Sequence, residues 1–382
     1  MANAYIVGAV RTPVGRRNGG LSKVHPVDLG AHVLRELATR TELDPTHVDD
    51  VVFGCVSQIG AQSFNLGRGV VLTAGWPEHV PGTTVDRQCG SSLQAVHFAA
   101  QGVMSGTQDI VVAGGVETMS SIPIMSSTTV GTENGLGDPW EAEGFKERFK
   151  DKEVSQFLGA CLMTRRFGLS REELEAFALQ SHRRAIAAWE AGRFDEEVAP
   201  LAGVERDEGP RADTTAEKMA ALQPLPGYPE LTAAIASQIS DGAAAVMVAS
   251  ERAVDRHGLT PVARITDLVV VGSDPIEMLS GPIPATEKLL ERNHLTVDDI
   301  DLFEVNEAFA PVVVGWSKAV GAPLDKTNVN GGAIALGHPL GATGAKLTTS
   351  LVHELRRRSG KYGVIAICEG GGTANATLFE RA

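Results

Sequence analysis

Short apolar runs recur along the chain, each bounded by glycine or charged positions. Ala4-Tyr5-Ile6-Val7, Ile110-Val111-Val112-Ala113 and Val364-Ile365-Ala366-Ile367 are the clearest. Runs of this length between turn signals predict buried strands. Between them lie segments of helical period. Leu93, Val96, Ala100 and Val103 share one face, predicting a helix that ends near Ser105. A second helix is expected from Gly341-Ala342-Thr343-Gly344 to about Arg358. Strand, helix and strand in alternation predict an α/β protein with layered, buried sheets.

The pattern also repeats. His47 to Gly54 reads like Thr296 to Phe303, an acidic pair before an apolar run. Each copy continues into a Gly-rich turn, a helix and a strand that ends in glycines. A period near 250 residues means duplicated halves rather than a solenoid. The expected halves are residues 1–118 plus 240–261, and residues 262–382. Residues 119–239 read as an inserted loop domain that caps the first half. Within it Ser170 is the expected N-cap of a helix, with Glu173 closing a capping box. Leu174, Phe177, Ala178, Ile186 and Trp189 would form its apolar face.

Composition narrows the classes. Lys+Arg 34 against Asp+Glu 47 leaves a net charge of −13. General nucleic-acid or anionic-membrane binding needs a basic face, and is excluded as the main role. No segment reaches the roughly 18 apolar residues of a membrane span. The four cysteines are far apart, with no CxxC and no His/Cys cluster. That argues against a disulfide framework or zinc site, and suits a reducing cytoplasm. No metal or cofactor is expected.

Four segments carry candidate chemistry. Cys89 stands before Gly90-Ser91-Ser92 at a helix start, where free N–H groups and the dipole favour a thiolate. The bland alternative is a small buried hydrophobe. His97 lies inside the same helix and reads as a packed imidazole. From Asn328 to Gly344, five glycines in seventeen residues surround His338. Such glycine density implies close backbone approach, and an imidazole held there suits a general base. Cys368 precedes Gly370-Gly371-Gly372, whose N–H groups could hold an oxyanion. Asn306 ends another strand, as a carbonyl or water contact or a simple cap. Ser237 could touch a ligand or only shape a turn.

Taken together, the Cys89 segment, the Asn330 to Gly344 segment and Cys368-Glu369-Gly370-Gly371-Gly372 resemble the thiolase family over the whole chain. The resemblance implies a five-layer αβαβα sandwich of two similar halves, with the inserted segment binding CoA. It implies that Cys89 is the acylated nucleophile, that His338 activates it, and that Cys368 moves the proton of the acetyl-CoA methyl group. Asn306 would serve one oxyanion hole, and the N–H groups of Cys89 and Gly370 another. Ser237, Leu158 and Phe309 are the implied substrate contacts. CoA and acyl-CoA thioesters are the implied partners, CoA being a substrate, and the chain is expected to form a homodimer or homotetramer. Arg183 and Arg184 are candidates for the CoA phosphates.

The chain departs from the family pattern in places. Thr343 stands where many members have Ser, and Glu369 where a neutral residue is usual. Phe157-Leu158-Gly159 replaces the His-Met-Gly of acetoacetyl-specific members. These features favour a degradative 3-ketoacyl-CoA thiolase for a bulky acyl chain, and the pattern is similar to actinobacterial thiolases, some acting on steroid-derived acyl groups. The alternatives are a biosynthetic acetyl-CoA acetyltransferase, a ketoacyl-synthase-like condensing enzyme, and an inactive acyl-CoA binder.

Overall fold

The structure, a computed structural model, describes residues 2–150 and 152–382. Its strands are β1 (Ala4–Arg11), β2 (Gly15–Arg16), β3 (Asp50–Gly54), β4 (Thr83–Val85), β5 (Ile110–Thr118), β6 (Ser240–Ser250), β7 (Ala263–Gly272), β8 (Leu302–Val305), β9 (Tyr362–Glu369) and β10 (Thr373–Arg381). They join in the order β4-β3-β5-β6-β1-β7-β10-β9-β8, with β2 beside β6. This order contains the same unit twice. β3 and β5 run parallel, and β6 and β1 add antiparallel. β8 and β9 likewise run parallel, and β10 and β7 add antiparallel. Among the described residues the two half-sheets join where Ala4, Tyr5 and Ile6 pair with Ile265, Arg264 and Ala263.

The repeat has a fixed offset. The central helices begin at Ser91 and Thr343, and the strands after them at Ile110 and Tyr362, so the copies lie 252 residues apart. That corrects the sequence alignment of the acidic pairs by three residues. Asp49 matches Asp301, not Asp298: Asp49 accepts the N–H groups of Asp109 and Ile110, and Asp301 accepts those of Lys361 and Tyr362. Each is preceded by one turn of 3₁₀ helix, Pro45–His47 and Val297–Asp299, where a helix end was expected.

Alternate strand residues enter different cores. In β5, Val111 and Ala113 meet Val96 and Leu347 in a central core, whereas Ile110 and Val112 meet Leu29 and Leu34 in an outer one. In β9, Ile365 and Ile367 face the central core, whereas Val364, Ala366 and Cys368 face a third, with Leu289 and Trp316. Three cores separated by two half-sheets make five layers. The helices Ser91–Met104 and Thr343–Arg358 form the middle one. Polar residues buried there satisfy themselves locally; Thr348 and Thr349 donate to the carbonyls of Gly344 and Ala345.

Helices of the inserted segment, Gln156–Arg166 and Arg171–Glu190, share their core with the second half through Met163, Leu174, Phe177 and Trp316. The expected association with the first half alone is therefore too narrow. Ser170 does cap the second helix by accepting from the Glu173 N–H. The capping box is not closed, because the Glu173 carboxylate pairs with Lys318 instead. Ile186 is only half-buried, unlike Leu174, Phe177, Ala178 and Trp189.

Candidate active site

A cavity of about 380 Å³ opens where the ends of the two half-sheets meet the inserted segment. Cys89, Cys368, Glu369, Gly370 and Gly371 lie on its wall. The lining also includes the apolar side chains of Ile124, Met125, Trp140, Phe157, Met278 and Leu279. Sequence reasoning missed Met125, Trp140 and Met278. The signal that could have found them is a tryptophan and methionines inside an otherwise polar stretch.

Cys89 is half-buried, two residues before the helix Ser91–Met104, whose N-cap is Gly90. It thus stands outside the first helical turn. Burial pushes its thiol well above the ordinary value, and the nearby Cys368 and Glu369 push the same way. The expected resting thiolate is corrected: burial keeps the thiol protonated. Among the described residues the N–H groups of Cys89 and Gly370 donate to no other backbone acceptor, which leaves them available to an oxyanion.

The glycine-rich segment holds His338 away from the cavity lining, beside Asn306. Gly337, at φ 97°, takes the turn that no side-chain residue accepts comfortably, and His338 follows it. The His338 N–H donates to Ser240 Oγ at 3.0 Å. Its Nδ1 lies 2.6 Å from Thr343 Oγ1, and that hydroxyl donates its proton to the Pro339 carbonyl. With the hydroxyl proton committed, Nδ1 must be the donor to Oγ1. Nε2 then carries the lone pair, and accepts from Asn306 Nδ2 at 3.2 Å. Burial, then the Lys346 charge, lowers the imidazole to about 3, so it is neutral near pH 7. Asn306 is itself buried, and its Oδ1 has no partner among the described residues.

Cys368 is the penultimate residue of β9 and is buried. Burial, then the Glu369 charge, lifts its thiol to about 12. His97 is a packed imidazole, as expected: its Nε2 meets Thr377 Oγ1 at 2.7 Å. The implied substrate contacts fare differently. Phe157 lines the cavity but Leu158 does not. Phe309 is buried behind Phe157, ring edge to ring face at 5.5 Å. Ser237 lies off the wall, its N–H bound to the Ala308 carbonyl. Arg184 is not free for a phosphate. Its guanidinium serves the carbonyls of Leu324, Thr327 and Asn328. Arg183 is exposed.

Two family descriptions match: thiolase, N-terminal domain, over residues 4–252, and thiolase, C-terminal domain, over residues 259–381. The chain belongs to the thiolase family. This thiolase is therefore an acyltransferase with the thiolase fold. It is 55% identical over 386 residues to the steroid 3-ketoacyl-CoA thiolase FadA6 of Mycobacterium tuberculosis, covering 100% of this chain and 95% of that one. It is 41% identical over 397 residues to a 3-ketoacyl-CoA thiolase of Cronobacter sakazakii, with full coverage of both. The crystal structure of human mitochondrial 3-ketoacyl-CoA thiolase in complex with CoA matches at TM-score 0.90 and 37% identity, covering 100% of this chain and 98% of that one. No helix among the described residues is long and apolar enough to cross a membrane.

Proposed function

We propose that this thiolase cleaves 3-ketoacyl-CoA with CoA, by a ping-pong route through an acyl group on Cys89. The observation that carries the reading is two free thiols, Cys89 and Cys368, on one cavity wall beside Gly370 and Gly371. His338 Nε2 takes the Cys89 proton, and the sulfur attacks the 3-keto carbon. The bond between C2 and C3 breaks, and the acetyl-CoA carbanion takes the Cys368 proton. CoA then attacks the acyl-Cys89 thioester. Its thiol proton returns to Cys368, and His338 returns its own to Cys89. The N–H groups of Cys89 and Gly370 hold one oxyanion. Asn306 with His338 holds the other.

The preferred acyl group is bulky and steroid-derived. The apolar wall of Met125, Trp140, Phe157 and Met278 supports this, as does the 55% identity to a steroid thiolase. The pantetheine arm enters past residues 119–239, where Ser127, Thr128, Ser155 and Gln156 line the cavity. Self-association into a cytoplasmic homo-oligomer belongs to the same reading. Its supports are β4, an open sheet edge, and Phe64, fully exposed.

Intact-mass measurement after mixing with acetyl-CoA tests the reading. The wild type gains one acetyl group, and Cys89→Ser gains none and loses on the order of 10³-fold or more in turnover. Acetylation persisting in the variant contradicts the assignment. Across a panel of substrates, kcat/KM is expected to be higher for polycyclic 3-ketoacyl-CoA than for acetoacetyl-CoA, by about 10–200-fold. The reverse order contradicts the acyl assignment.

A further inference from the structure

Glu369 follows Cys368 at the end of β9, on the cavity wall, and its side chain is buried. Its Oε2 accepts from the Thr373 hydroxyl at 2.7 Å. Its Oε1 has no partner among the described residues, and neither has Oδ1 of Asn375. These two oxygens crowd the same spot, since a Cβ on Gly90 would collide with both. With the Asn375 carbonyl on this side, two unpaired buried acceptors are satisfied by a proton between them. A carboxylic acid supplies one. Its Oε1–H donates to Asn375 Oδ1 and satisfies both atoms, while Asn375 Nδ2 points to Gln94 Oε1 at 3.5 Å.

The groups around Glu369 agree. From the loop before the helix Ser91–Met104, Asp86 opposes its ionisation and Arg87 favours it. Cys368 precedes it on β9, and Cys89 faces it from the helix start. β10 contributes Thr373 and Asn375, and the helix contributes Gln94; all three are neutral. No Lys or Arg among the described residues lines the cavity. Burial outweighs the Thr373 hydroxyl, Arg87 and the Asn375 N–H, and lifts the carboxyl to about 8.

We propose that Glu369 is a positioning residue, a neutral carboxylic acid that donates its proton to Asn375, keeps negative charge away from Cys89 and Cys368, and sets the alkaline limit of catalysis. This rests on the reading of both thiols as the reacting groups. Once ionised, Glu369 places its charge beside them, and each thiol must then ionise against a like charge. A like charge at this range lowers the thiolate fraction by about tenfold or more.

The test is kcat against pH for thiolysis by wild type, Glu369→Gln and Thr373→Val, with intact-mass acetylation of each near neutral pH. Wild-type turnover falls on the alkaline side through about 8. In Glu369→Gln the amide still donates to Asn375 but cannot ionise. Its ratio of kcat at ~pH 9 to that at ~pH 7 rises about tenfold over wild type. Thr373→Val removes a hydrogen bond that favours the charged form, so its alkaline limb moves to higher pH. Thr373→Val decides the matter if Glu369→Gln does not fold. A second readout is independent of activity. Native Glu369 keeps its proton up to about 8, whereas an unfolded carboxyl releases it near 4.5. Folding stability therefore declines as pH rises through that window, and Glu369→Gln lessens the decline. An alkaline limb unmoved in the variants overturns the proposal; the opposite Asn375 orientation, with its amide toward an ionised carboxylate, predicts that result. Absence of acetyl from Cys89 overturns instead the reading of the thiols, and leaves the two failures distinguishable.

Discussion

Glu117 and Glu369 occupy the same place in the two halves, 252 residues apart near the ends of β5 and β9. Both are fully buried. Their surroundings differ. Glu117 accepts from the N–H groups of Val56, Ser57 and Gly341, from Gln62 Nε2 and from the Cys55 thiol, so each oxygen has at least two donors. Glu369 has a single hydroxyl donor and one bare oxygen. The first carboxylate ties the turn after β3 to the glycine-rich segment that carries His338. The second stands next to two thiols and holds a proton. The duplication delivered a buried acid to both copies. Hydrogen bonding made one a clamp, and its lack left the other titratable.

The largest effect that can break this comparison is on stability. Glu117→Gln turns an amide N–H toward donors that expect an oxygen, and should cost about 2–4 kcal/mol in urea unfolding. Glu369→Gln loses no such set of donors and should cost less than about 1 kcal/mol. Equal losses in the two variants would erase the distinction between clamp and titrating acid.

A finer test uses the matched hydroxyls. Ser91 and Thr343 are equivalent across the repeat, and each donates to an upstream carbonyl, Gln88 and Pro339. Only Thr343 also receives the His338 Nδ1 proton. Thr343→Val should therefore leave Nδ1 unpaired and lower kcat about tenfold, a part of the general-base contribution. Thr343→Ser, which keeps the hydroxyl, should restore it. Equal rates for the Val and Ser variants would mean that the tautomer is not set here.

Much of this is legible in the sequence. Cys89, His338 and Cys368 each stand beside glycines, which mark close backbone approach, and the alternation of runs implies layered α/β halves. The register of the repeat reads three residues out because its acidic pairs resemble each other more than their true partners do. The element starts and the hydrogen bonds of Asp49 and Asp301 separate the two alignments. The Cys89 thiolate is misjudged because the sequence does not show the burial that raises the thiol. Arg184 looks free because sequence does not show the carbonyls of Leu324, Thr327 and Asn328 that engage it. The cavity wall at Met125, Trp140 and Met278 is invisible because three distant segments assemble it.

The central claim is that the two thiols divide the reaction, Cys89 carrying the acyl group and Cys368 the methyl proton. Cys368→Ala separates these roles. Acyl transfer from acetyl-CoA to Cys89 involves no carbon acid, so intact-mass acetylation should persist in the variant. Exchange of the acetyl methyl protons with deuterated water, followed by NMR, should be lost with thiolysis of 3-ketoacyl-CoA. Methyl exchange at the wild-type rate in Cys368→Ala would contradict the account and assign the carbon base to another residue.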